Sequence, residues 1–60
     1  MKVLKCRDIK AVDIEDVIAE IYKNHYDFAE YVANKHNWSI GDTIEAIATH
    51  IVYNDEDYIA

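Results

Sequence analysis

Residues 38–53 read WSIGDTIEAIATHIVY, and the spacing within this stretch decides the fold class. Ser39 is a good N-cap, because its hydroxyl can accept a hydrogen bond from an orphan backbone N–H one turn on. Asp42 stands three residues later, at capping-box spacing, with a charge that suits the positive end of a helix dipole. Trp38, just before the cap, is placed to fold back over the first turn near Ile44. Ile40, Ile44, Ile47, Ala48, Ile51 and Val52 recur at steps of three and four, which sets them on one helical face. Asp42, Glu45, Thr49 and Tyr53 point elsewhere. The spacing predicts a helix over 39–53, weakest at the β-branched Ile51-Val52, where a short strand competes.

Two more helices precede it. Asp13 caps a helix over 13–24, with Glu15 and Asp16 loading its first turn with negative charge. Its stripe is Ile14, Val17, Ile18, Ile21 and Tyr22. Asp27 followed by Glu30 marks the start of a helix over 27–36, whose apolar face is Phe28, Tyr31 and Val32. Ala29 and Ala33 let a neighbour approach closely. Asn37 is a plausible left-handed residue ending that helix. The connections are short, so neighbouring helices should pack as antiparallel or steeply crossed pairs. Among the aromatics, Tyr22, Tyr31 and Trp38 are expected in the core, while Tyr26, Tyr53 and Tyr58 fall off the stripes.

The expectation is therefore an all-α domain of three helices spanning residues 1–60, with a short N-terminal arm and an acidic C-terminal tail that frays into solvent. The alternative is α+β, with residues 2–6 pairing as a strand against 51–54 or against a second molecule. A chain of 60 residues buries only about 60% of its unfolded surface and is marginal alone. Its apolar fraction of 52% is enough for folding, and suggests that some apolar surface is covered by another chain, either a second copy or a different protein.

The net charge of −6 conceals an asymmetry. Residues 1–10 hold Lys2, Lys5, Arg7 and Lys10 against Asp8. Residues 11–60 hold eleven acids against Lys23 and Lys35. From Ile40 onward there are five acids and no Lys or Arg. Such a surface repels nucleic acid and attracts basic protein surfaces.

Local chemistry is sparse. His25, His36 and His50 are never three or four residues apart, and Cys6 is far from all of them in sequence, so no zinc spacing is present. Cys6, the only cysteine, cannot form an internal disulfide, and the chain reads as cytoplasmic. As a nucleophile it would need a histidine base and a pocket; a structural role is the simpler reading. The segment Asp55-Glu56-Asp57 lacks the glycine and closing Glu of a calcium loop. Helices two and three invite a helix-turn-helix reading, but the would-be recognition helix carries Asp42 and Glu45 and no cation, against the phosphate contacts DNA demands. No catalytic residue, cofactor, metal or membrane span is expected.

The leading expectation is a non-enzymatic interaction protein that inhibits or modulates a larger, nucleic-acid-binding protein through a nucleic-acid-mimicking acidic surface. Glu15, Asp16, Glu20, Asp42, Glu45, Asp55, Glu56 and Asp57 are its candidate contacts, with Tyr53 and Tyr58 as anchors. In size and composition the chain is similar to small phage-encoded inhibitors, such as anti-restriction and anti-CRISPR proteins. No motif matches a particular family, so no site is carried over. The alternative is a small homodimeric regulator that binds a repressor or polymerase through an apolar helix face.

Overall fold

The computed structural model describes residues 2–9 and 13–60; Lys10, counted above with the basic arm, lies outside them. A strand β1 (Val3–Leu4) leads into a 3-10 turn (Cys6–Asp8). Three helices follow: α1 (Ile14–Asn24), α2 (Tyr26–His36) and α3 (Ile40–Asn54). A strand β2 (Tyr58–Ile59) comes last. The domain is mostly helical, and each helix begins or ends within a residue of its sequence expectation.

Local chemistry explains most helix ends. Ser39 is extended and its Oγ accepts from the Asp42 N–H at 3.2 Å. Asn37 is left-handed at φ 58°, turning the chain so that the Trp38 N–H reaches the Ala33 carbonyl at 3.0 Å, the arrangement that closes a helix C-terminus. Asp13 occupies the N-cap of α1 without a side-chain cap bond. The second cap is corrected: α2 starts one residue early, its N-cap is His25, and Asp27 lies within the first turn. There Asp27 still faces the positive end of the dipole.

Val17, Ile21, Ala29, Val32, Ile44, Ile47, Ala48 and Ile51 form the centre of the core, joined by Leu4 and Ile9 from the N-terminal segment. α3 is the hub: α1 and α2 both pack mainly on it. Its buried face includes Thr43, which the apolar stripe omitted. The Thr43 hydroxyl donates to the Ser39 carbonyl at 2.8 Å, so a polar residue is buried at little cost. The strand that competed at Ile51-Val52 does not form, and α3 continues to Asn54. Burial of Ile51 in the helical core outweighs β propensity there.

Three expectations are overturned. The acidic tail is not frayed. It turns at Asp55, left-handed at φ 53°, and pairs antiparallel with the N-terminal arm, Val3 opposite Ile59 and Leu4 opposite Tyr58. The Lys2 and Ala60 backbones exchange hydrogen bonds of 3.0 and 2.8 Å. The arm does form a strand, but its partner is 58–59 rather than 51–54. Finally, Tyr22, Tyr31 and Trp38 are exposed rather than core residues. The aliphatic residues of three short helices and one strand already fill so small an interior, and large rings are left at its rim. Trp38 stacks on His36 at 4.3 Å.

Candidate functional site

The terminal ribbon closes over one end of α3, and its chemistry is built by residues far apart in sequence. Within the ribbon, side chains alternate. Leu4 and Tyr58 turn inward, Val3 and Ile59 outward. The Tyr58 ring meets Phe28 of α2 and His50 of α3 edge-on, with centroids 6.0 and 5.3 Å apart. Lys2 lies over the Tyr31 ring of α2, 4.8 Å from its centroid. The Cys6 N–H, at the start of the 3-10 turn, donates to Asp57 Oδ1 at 2.8 Å. His50 Nε2 lies 3.1 Å from the Asp57 carbonyl oxygen, and Asn54 Nδ2 lies 3.1 Å from His50 Nδ1. An imidazole whose Nε2–H donates to Asp57 and whose Nδ1 accepts from Asn54 satisfies both contacts.

Cys6 sits half-buried in this clasp, its Sγ 3.7 Å from Asp55 Oδ1 and 4.0 Å from the Ile51 carbonyl. Withdrawal from water raises its pKa above the ordinary 9.0, and the neighbouring Asp55 carboxylate, with a smaller contribution from Asp57, raises it further. A thiol held protonated is a poor nucleophile. His50 approaches the same turn but engages Asp57 and Glu56, not the sulfur. Among the described residues no group of three His, Cys, Asp or Glu is arranged to hold a metal ion, and no helix is long and apolar enough to cross a membrane.

The ten candidate contact residues divide into two sets. Glu15 and Asp16 stand exposed in the first turn of α1. Asp42 and Glu45 stand exposed on α3, and Tyr53, on the same outer strip, is 71% accessible. Glu20 is half-buried, its carboxylate accepting from Asn24 Nδ2 at 2.7 Å. The second set belongs to the clasp. Asp55 forms its left-handed corner, Asp57 caps the 3-10 turn, Tyr58 packs inward, and Glu56 lies 3.9 Å from His50. That His50–Glu56 contact is the only ion-pair approach within 4.0 Å among the described residues. The carboxylates of Glu15, Asp16, Asp42 and Glu45 therefore face solvent without a described cation beside them.

The two helices bearing these four acids are brought together directly. Tyr22, near the end of α1, reaches Gly41 at the start of α3, its hydroxyl 3.9 Å from where a Cβ would lie. Sequence reasoning missed Tyr22 as a surface residue because it falls on the helical apolar stripe. The signal that was available is its position at the stripe's edge, about 100° round the helix from Ile21.

Comparison with protein families, with curated proteins and with solved structures finds no match to this chain.

Proposed function

We propose that this is a non-enzymatic interaction protein whose acidic helical surface occupies a basic surface on a larger, nucleic-acid-binding protein and so inhibits or modulates it. One arrangement supports the reading above all. Glu15 and Asp16 on α1 and Asp42 and Glu45 on α3 are all exposed, on two helices packed together, and Lys23 is the only Lys or Arg that either helix carries. The four carboxylates and Tyr53 are the contacts; Asp57 and Tyr58 serve the clasp that fixes the end of α3.

Magnitude sets the scope of the mimicry. α3 has 15 residues and is about 22 Å long, a length over which duplex DNA presents about 13 charges. Four carboxylates imitate a fragment of that field. The reading is thus competition for part of a basic site, helped by an apolar anchor, rather than replacement of a whole duplex.

The test is capture from a nuclease-treated bacterial lysate on the immobilised chain, eluted with a salt gradient. The reading expects a basic protein released at moderate salt, and weaker capture by an Asp42→Lys, Glu45→Lys variant. Retention of the same partner at high salt by both forms would contradict it.

A second reading, a homodimer, is favoured by one observation. Val3 and Ile59 lie side by side and exposed on the outer face of the ribbon. The Ile and Val residues of the helices turn inward, so a dimer would form through the ribbon rather than through a helix face. The patch is two side chains wide, well below the roughly 800 Å² per partner of a stable interface, and sedimentation equilibrium decides whether it suffices.

A further inference from the structure

Two aromatic residues outside the core cluster flank the first turn of α3, Tyr22 by contact and Trp38 by its place just before the N-cap, and Tyr26 stands beside Tyr22. Tyr22 and Trp38 are each 45% exposed and Tyr26 is 39% exposed. The Tyr22 hydroxyl lies over Gly41, and the Tyr26 ring stands 6.2 Å from that of Tyr22. Trp38 enters the turn from α2 and stacks on His36 at 4.3 Å with the rings 17° apart, which covers one indole face. Exposed Asp42 projects from the same turn, with Glu45 the next acid along.

We propose that this aromatic corner receives an arginine side chain of the partner protein, the rings taking the guanidinium plane and Asp42 its charge. The proposal rests on the acidic-interface reading above and names the group that interface recognises. Charge complementarity selects a cation. The faces of Trp and Tyr rings are electron-rich and attract positive charge, and Asp42 and Glu45 add to the field. The positive end of the α3 dipole also lies here, but Ser39 Oγ takes up the Asp42 N–H and the Asp42 carboxylate opposes the dipole's charge. Arginine is favoured over lysine because a planar guanidinium stacks on a ring while its edge bonds a carboxylate; an ammonium cannot do both. A single-stranded nucleic acid would also stack on such rings, yet it would bring phosphates against Asp42 and Glu45.

Trp38 is the only tryptophan, so its fluorescence reports this corner. The test titrates the whole chain, at low salt, with an Arg-Gly repeat peptide and a Lys-Gly peptide of equal length, following both Trp38 emission and heat. The arginine peptide is expected to change the emission saturably and to bind about 5-fold tighter than the lysine peptide. Tyr22→Leu, at an exposed position where circular dichroism can verify folding, is expected to remove most of that difference. Equal binding of both peptides with unchanged emission, lost on Asp42→Asn with Glu45→Gln, would overturn this proposal and leave the acidic interface standing. Failure of either peptide to bind at millimolar concentration would overturn both. An emission change with oligothymidylate but not with the arginine peptide would also overturn it.

Discussion

Asp57 accepts the Cys6 N–H across a sequence separation of 51 residues, and this one bond turns an apparent solvated acid into a cap. Asp57→Ala leaves that donor to water and removes a charge-assisted bond, at a cost of about 1 kcal/mol, measurable by urea denaturation. Cys6 gives a pH signature. Its folded thiol holds its proton to a higher pH than the unfolded thiol, so above the ordinary 9.0 the folded chain binds more protons than the unfolded. The resulting stability is fully present below that value and is lost as pH rises through the folded pKa. Wild type should therefore lose stability in mildly alkaline buffer more steeply than Cys6→Ser, and Cys6 should alkylate more slowly than the same cysteine in the denatured chain. Neither role was legible in the sequence, because both arise from tertiary contacts of the clasp. Ser39 and Asn37 were legible, because an N-cap and a left-handed C-cap are decided within four or five residues.

Among the elements, α3 was the plainest in sequence, since a cap, a stripe and an outer acidic strip agree over 15 residues. Gly41, in its first turn, has only the Tyr22 hydroxyl at 3.9 Å in the direction a side chain would take, an ordinary contact. Gly41→Ala should thus stabilise the chain by about 0.5 kcal/mol through helix propensity and a less flexible unfolded state, read as a raised melting temperature. The ribbon was the opposite case. Two strands of two residues each offer no period to detect, and their pairing depends on the turn that Asp55 makes after α3. Leu4 supplies the strand's hold on the core, buried among residues of the helical cluster. Leu4→Ala should cost about 2–4 kcal/mol and open the ribbon, seen as faster amide exchange at Val3 and Ile59 than at the centre of α3.

At the scale of the whole molecule, the charge asymmetry read from the sequence acquires a geometry. The basic arm and acidic tail fold against each other at one end, and the α1 acids Glu15 and Asp16 and the α3 acids Asp42 and Glu45 stand exposed on the helices. Which acids lie exposed on helices was legible from periodicity; which are consumed by the fold was not. The expected core rings Tyr22, Tyr31 and Trp38 were misjudged, since a small interior filled by Ile and Val expels rings that a helical wheel assigns to it. The most direct test of the acidic interface compares wild type with the Glu15→Gln, Asp16→Asn, Asp42→Asn, Glu45→Gln variant for affinity to the captured partner at low and high salt. The account predicts that the variant binds more weakly at low salt, by about 1–4 kcal/mol for four exposed pairs, and that the gap closes as salt screens the wild type. Equal affinities of the two forms at low salt, with the variant shown to be folded, would contradict it.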